Sequence, residues 1–268
     1  MVCHTITSAL KNLRPPIAAY GVPILIKALS DPDKHVRRGG VAGLCNTRYP
    51  SVDIAIPALI QALSDSDTAV RVDAAKALGF SRSPMAQDAV PTLVQNLDDP
   101  DDEIRWSSAF ALGLIGPLPS ARTEASLVRA LEDQCGRVRE WAAIALGRLA
   151  PHLAIQTLSA LIIALADSEY GVRVHAAETL VWTGEVAVGL VVPALVRVLT
   201  DSGSDIRSNA AAALGRIGQW ANDEVVPALI DSLADPESGV RRSAIEALGQ
   251  LDDNRALPYI ASLLEEEC

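Results

Sequence analysis

One motif recurs seven times along this chain at a constant period of 34 residues, with no insertion between copies. The first invariant column is an aspartate: Asp31, Asp65, Asp99, Asp133, Asp167, Asp201 and Asp235. The second is an arginine: Arg37, Arg71, Arg105, Arg139, Arg173, Arg207 and Arg241. The third is a leucine: Leu44, Leu78, Leu112, Leu146, Leu180, Leu214 and Leu248. A fixed period of this length indicates an array of stacked structural units.

Each copy has the pattern of two short helices, which we name helix A and helix B. In the second copy, Pro57, Leu59, Ile60 and Leu63 form an apolar stripe at helical spacing, and a turn rich in Asp and Ser follows. In five copies a proline opens helix A: Pro23, Pro57, Pro91, Pro193 and Pro227. In five copies a glycine follows the invariant leucine, and we expect it to cap the end of helix B: Gly79, Gly113, Gly147, Gly215 and Gly249.

Neither helix of a copy can bury its apolar stripe alone, so the copies are expected to stack into one elongated core. The chain is 49% hydrophobic but only 4% aromatic, which is typical of closely packed helices. The prediction is an all-α protein, an α-solenoid of seven helix pairs forming one domain over residues 1–268. Residues 1–16 are predicted as an N-terminal cap, 17–250 as the seven repeats, and 251–268 as a C-terminal cap helix.

The motif D-x-x-x-x-[VI]-R-x-x-A-x-x-A-L-G, with small-residue substitutions at its alanines, resembles the HEAT repeat. The likeness is to the short form named after phycobilisome lyases (PBS lyase HEAT-like repeats), and it covers about residues 17 to 266. The resemblance implies a right-handed superhelix in which the B helices line a concave groove.

The invariant aspartate and arginine are interpreted as structural and not as a catalytic array. The aspartate lies between helices A and B, where it can cap helix B or accept hydrogen bonds from turn amides. The arginine can reach the aspartate of its own or of the adjacent repeat. The same role is implied by the resemblance.

The B-helix columns that start at Arg38, Gly39 and Ala42 vary in size and polarity, whereas the stripe of Val70, Ala74 and Leu78 is uniformly small or apolar. The variable columns are therefore expected to form an open surface, with bulky residues in the middle three repeats. The candidate partner-binding residues are Trp106, Phe110, Glu140, Trp141, Ile144, Tyr170, Val174, His175 and Glu178. The alternative is that these aromatic rings fold over their neighbours and only complete the packing. Phe80, Trp182 and Trp220 are expected to fill connectors between repeats.

No pattern in the sequence indicates catalysis, a cofactor or a metal site. The four histidines are scattered and none precedes a glutamate, and no P-loop, dinucleotide-binding turn or nucleophile motif is present. The net charge of −10, with seven arginines assigned to the repeat motif, argues against nucleic acid. No apolar run of membrane-spanning length occurs, so a cytoplasmic protein without membrane contact is expected.

These patterns favour a non-catalytic scaffold or adaptor that holds a protein partner, a helix or an extended segment, in the central groove. The alternative comes from the resemblance, which also implies a phycobilin lyase subunit acting on a phycobiliprotein. Such lyases transfer an open-chain tetrapyrrole as one half of a heterodimer. In that case the aromatic band would stack on the bilin, and His175 with Arg38 or Arg242 would meet its propionates.

Overall fold

A computed structural model describes residues 17–45, 53–116, 121–149, 153–183, 188–201, 203–217, 222–251, 253–259 and 261. These residues contain fourteen α-helices and no strand. The first eight are α1 (Ile17–Ala28), α2 (Lys34–Cys45), α3 (Ile56–Ala62), α4 (Thr68–Phe80), α5 (Val90–Asn96), α6 (Asp102–Ile115), α7 (Ala121–Ala130) and α8 (Gly136–Gly147). The other six are α9 (Ile155–Ala164), α10 (Tyr170–Trp182), α11 (Val188–Val198), α12 (Ser204–Ile217), α13 (Asn222–Asp231) and α14 (Ser238–Leu251).

The helices form seven A/B pairs, so the predicted all-α solenoid is confirmed. Odd-numbered helices are the A helices and even-numbered helices are the B helices. The chain divides into two compact units after Arg148. In the first unit the B helices stack in the order α2, α4, α6, α8, and in the second they stack in the order α10, α12, α14.

The invariant leucine column forms the centre of the core. All seven of its side chains are at most 1% exposed. Each of them packs in a helix-to-helix contact that recurs along the array, which accounts for the fixed residue type. No helix in the described ranges is long and apolar enough to cross a bilayer.

The invariant aspartate braces the turn between helices A and B. In all seven repeats its carboxylate accepts a hydrogen bond from the backbone N–H two residues later, at 2.8 to 2.9 Å. The N-cap of helix B is that later residue, such as Asp67 before α4 and Asp101 before α6. Of the two sequence-based options, the structure therefore selects the turn amide over the helix cap.

The invariant arginine ties its own turn to the next one. In all seven repeats its Nη1 donates to the backbone carbonyl of the aspartate in the same repeat, at 2.8 to 3.0 Å. In addition, two-bond contacts with the aspartate carboxylate of the following repeat join Arg37 to Asp65, Arg105 to Asp133, and Arg207 to Asp235. We call this arrangement the Asp–Arg ladder. Arg173 departs from it, because its Nη2 reaches Asp205 at 3.3 Å.

Two predictions about helix ends are wrong in part. Pro57 and Pro91 do stand in the first turn of α3 and α5, but Pro23, Pro193 and Pro227 lie inside helices that begin earlier. The glycine column does not supply left-handed caps either. Gly113 is inside α6, and the glycine with positive φ at the end of that helix is Gly116, at 99°.

The two predicted caps are only partly within the described chain. Residues 1–16 lie outside the described residues. At the other end, a short 3₁₀ helix, Asn254–Ala256, leads into helical residues 257–259. The assignment of residues 1–268 to one domain stays a prediction.

Candidate partner-binding site

Close packing of α4, α6 and α8 brings the variable columns of three repeats together in the first unit. A Cβ placed on Gly79 of α4 would lie 3.1 Å from the Cα of Ala111, and one placed on Gly113 of α6 would lie 3.0 Å from the ring of Trp141. Both distances are shorter than ordinary van der Waals contact, so the neighbouring atoms would have to shift to admit a side chain. The two glycines therefore leave room for this close approach of adjacent B helices.

Four aromatic rings from these three helices form one group, which we call the aromatic cluster: Phe80, Trp106, Phe110 and Trp141. Phe110 is its centre. The centroid of its ring lies 4.6 Å from that of Trp141, 5.1 Å from that of Phe80 and 5.9 Å from that of Trp106, with edge-on geometry toward the first two. Such pairs stabilise by about 0.5 to 1.5 kcal/mol each beyond the area they bury.

The members of the aromatic cluster differ in how much surface they offer. Phe110 is 9% exposed, because the other three rings cover it, whereas Trp106 and Trp141 are half-buried. Phe80 is 55% exposed. The rings do fold over one another, as the packing alternative expects, yet the cluster keeps an exposed edge at Phe80.

Phe80 was not among the candidate residues from the sequence, which assigned it to a connector; its ring packs edge-on against Phe110 and is 55% exposed. It lies four residues after Lys76, so the stripe of Val72 and Lys76, extended by one helical turn, reaches it. That spacing was the signal available in the sequence. Trp182, in the equivalent position of α10, is 59% exposed. Trp220 lies outside the described residues.

Two cations lie over the indole of Trp106. The Nζ of Lys76, on α4, is 4.6 Å from the ring centroid, and the guanidinium carbon of Arg137, on α8, is 3.5 Å from it. Arg137 also donates to Glu103 at 3.0 Å. The indole Nε1–H is shielded from solvent and has no hydrogen-bond partner among the described residues. Neither Lys76 nor Arg137 was predicted as a site residue, since a cation–π contact between repeats has no local sequence signal.

The remaining predicted residues of the first unit flank the cluster. Ile144 is half-buried, and its side chain would lie 3.3 Å from a Cβ on Gly113. Glu140 is half-buried on α8. On α4, Asp73 accepts a hydrogen bond from the Nε of Arg38 at 2.8 Å. This carboxylate is therefore already paired with an arginine of the neighbouring B helix.

The other four predicted residues lie on α10 in the second unit. Tyr170 is 64% exposed, with the guanidinium carbon of Arg173 5.7 Å from its ring centroid. Val174 is half-buried, and the Nδ1 of His175 lies 3.0 Å from the Oε2 of Glu178. That these residues and the aromatic cluster line one groove stays a prediction.

No group of three or more His, Cys, Asp or Glu side chains suited to a metal ion occurs within the described ranges. The cluster combines ring faces, cations and hydrogen-bond donors.

The repeats, the helix pairs and their stacking define an α-solenoid repeat protein. The sequence profile of HEAT repeats matches residues 22–113, 90–163, 158–220 and 192–268. The chain therefore belongs to the HEAT-repeat family. The finer likeness to the phycobilisome-lyase form remains a resemblance.

Solved structures agree with this assignment. The chain is similar to the crystal structure of an engineered protein, with a TM-score of 0.62 and 25% identity over 88% of this chain and 69% of that one. It is also similar to a designed armadillo repeat protein, with a TM-score of 0.50 and 21% identity over 86% of this chain and all of that one. No curated protein matches the sequence.

Proposed function

We propose that this protein is a non-catalytic interaction scaffold, and that the aromatic cluster on α4, α6 and α8 binds a protein partner. Its fold is typical of interaction scaffolds, since stacked repeats offer extended surfaces for partners. The partner is a helix or an extended segment, because either presents side chains at a regular spacing to neighbouring B helices. The candidate residues on α10 belong to the same proposal as a second contact region.

The observation that supports this proposal is the exposed ring of Phe80 on an otherwise packed aromatic group. Phenylalanine exposes an apolar surface that is favourably removed from water, and here the ring has rigid support from Phe110 beneath it. Rigid aromatic residues at the centre of a surface are typical of binding hot spots. We expect Phe80 to contribute most of the affinity, with Phe110 and Trp106 supporting it from the packed side of the cluster.

The test compares two exposed aromatic residues of similar accessibility. A partner is first identified by cross-linking in the source cells and then titrated against purified variants. Phe80→Ala is expected to weaken binding at least about tenfold, which corresponds to about 1.4 kcal/mol. Its melting temperature is expected to change little, because the removed ring is mostly outside the core.

The matched control is Tyr259→Ala, which removes a ring that is 51% exposed in the second unit and lies outside the B helices. It should leave the partner's dissociation constant unchanged. Wild-type binding by Phe80→Ala would contradict the proposed site.

The bilin-lyase hypothesis needs ring faces open to a tetrapyrrole. Phe110 is 9% exposed, and the indole of Trp106 already carries two cations, so the aromatic cluster offers little free ring face for stacking. These contacts support the scaffold over the lyase. A titration with a free bilin tests the scaffold against the lyase. A shift in the visible spectrum that is lost in Trp106→Ala would favour the lyase.

A further inference from the structure

Two donors at Trp106, its own indole N–H and the ammonium group of Lys76, lack an acceptor among the described residues. The buried indole Nε1–H has no hydrogen-bond partner among the residues described. Lys76 forms a cation–π contact with the ring, and no described carboxylate lies within salt-bridge distance of its Nζ. An unsatisfied buried donor is unfavourable by about 1 to 3 kcal/mol. This part of the surface therefore favours the arrival of an acceptor.

The carboxylates of the same face are already engaged. Asp73 is bound by Arg38 at 2.8 Å, and Glu103 is bound by Arg137 at 3.0 Å. Glu140, on α8, also interacts within the protein. Among the described residues, Lys76 is therefore the cation of the cluster that has no acidic partner. This holds although acidic residues are in excess and the net charge of the chain is −10.

The exposed ring of Phe80 lies one helical turn from Lys76 on α4. Residues four apart on a helix have their Cβ atoms about 5 to 6 Å from each other. The surface thus presents a cation and an apolar ring side by side. A complementary segment carries a carboxylate and a large apolar side chain at a similar separation, as residues three or four apart on a helix do.

We infer that the partner segment of the aromatic cluster is an acidic–apolar one, in which an Asp or Glu meets Lys76 while a large apolar side chain covers Phe80. This inference rests on the proposed function and adds the chemistry of the partner. A charge-assisted hydrogen bond to Lys76 is stronger than a neutral one, and the apolar contact removes water from around it.

The test is a selection from a display library of randomised helical 12-residue peptides, carried out in parallel on the full chain and on its Lys76→Glu variant. Peptides enriched on the wild type are expected to share an Asp or Glu three or four residues from a Phe, Leu or Trp. On Lys76→Glu the acidic position is expected to be replaced by Lys or Arg. Lys76→Met, which keeps the length of the side chain, serves as a neutral control, and its melting temperature verifies folding.

The best peptide is then titrated against the wild-type chain. Changing its acidic residue to the corresponding amide should raise the dissociation constant at least about tenfold. The indole N–H resonance of Trp106, assigned with Trp106→Phe, should move on binding.

The outcomes separate the two proposals. Enriched peptides that share only an apolar residue and bind Lys76→Glu equally well would overturn the acidic–apolar inference and leave the proposed site intact. Peptides that bind Phe80→Ala and Trp106→Phe as tightly as the wild type would overturn both the proposed site and the acidic–apolar inference. The absence of any enriched peptide would also overturn both.

Discussion

Glycines in the same repeat column have different roles. A Cβ on Gly215 of α12 would lie 2.6 Å from the backbone and side chain of Ala247 on α14, a distance that side chains do not tolerate. A Cβ on Gly249 of α14 would have no atom within 4 Å. Gly215 is needed because the next B helix approaches it, whereas Gly249 follows the last invariant leucine and has no such neighbour.

Alanine substitutions at these two glycines should change stability in opposite directions. Gly215→Ala is expected to destabilise the protein by about 1 to 3 kcal/mol, because α12 and α14 must separate. Gly249→Ala is expected to stabilise it by up to about 1 kcal/mol, because alanine has the higher helix propensity. Urea unfolding followed by circular dichroism measures both. Equal effects at the two sites would show that the glycine column affects stability at the ends of the B helices and not through contact with the next B helix.

The Asp–Arg ladder explains why the turn between helices A and B keeps its form in every repeat. The aspartate carboxylate binds a backbone amide of its own turn and, at Asp65, Asp133 and Asp235, also the arginine of the preceding repeat. That arginine in turn binds the carbonyl of its own aspartate. A single pair of residue types thus fixes both the local turn and the attachment to the next repeat.

Removing one charge from the ladder should weaken this attachment. Asp133 accepts from Arg105 Nε at 2.7 Å, from Arg105 Nη2 at 3.0 Å and from the Cys135 N–H at 2.8 Å. In Asp133→Asn the amide NH₂ faces guanidinium donors, so we expect a loss of about 1 to 2 kcal/mol in the free energy of unfolding.

The exposed ion pair between Arg129 and Asp98 provides the control. Its atoms are 3.3 Å apart and its side chains are 59% and 66% exposed. Asp98→Asn should therefore change the free energy of unfolding by less than about 0.5 kcal/mol. A similar loss in both variants, or a loss of partner binding in Asp133→Asn alone, would mean that the ladder has been misinterpreted.

The ladder recurs in both units, so the acid stability of the whole chain depends on it. Hydrogen bonds from Arg37 and Arg207 hold the pKa of Asp65 and of Asp235 below its usual value. Burial acts to raise the pKa of Asp133, but the hydrogen bond from Arg105 and the Cys135 amide outweigh it, and the net shift is downward. A carboxylate with a lowered pKa in the folded state stabilises that state whenever it is ionised.

The sign of the pH effect follows directly. In the unfolded chain these aspartates titrate near a pKa of about 3.9. Their contribution is present above that pH and is lost as the pH falls from there through the lower pKa of the folded state. The urea midpoint of the wild type should therefore fall as the pH is lowered below about 4. The triple variant Asp65→Asn, Asp133→Asn, Asp235→Asn should show a smaller fall, and an identical fall would exclude the ladder as the cause.

The period of 34 residues was enough to predict the seven helix pairs, the buried leucine column and the structural role of the repeated charges. Such features are determined locally or recur in every copy. Each of them can therefore be read from the sequence seven times. The variable columns were also enough to indicate the B-helix face as the candidate site.

Only the tertiary structure decided how individual side chains on that face are used. It buries Phe110, leaves Phe80 exposed, and brings Lys76 and Arg137 over Trp106 from two different repeats. These outcomes depend on ring orientations and on distances between residues about one repeat apart. No local pattern encodes them, because they arise only when the helices pack at the spacing that their small residues allow.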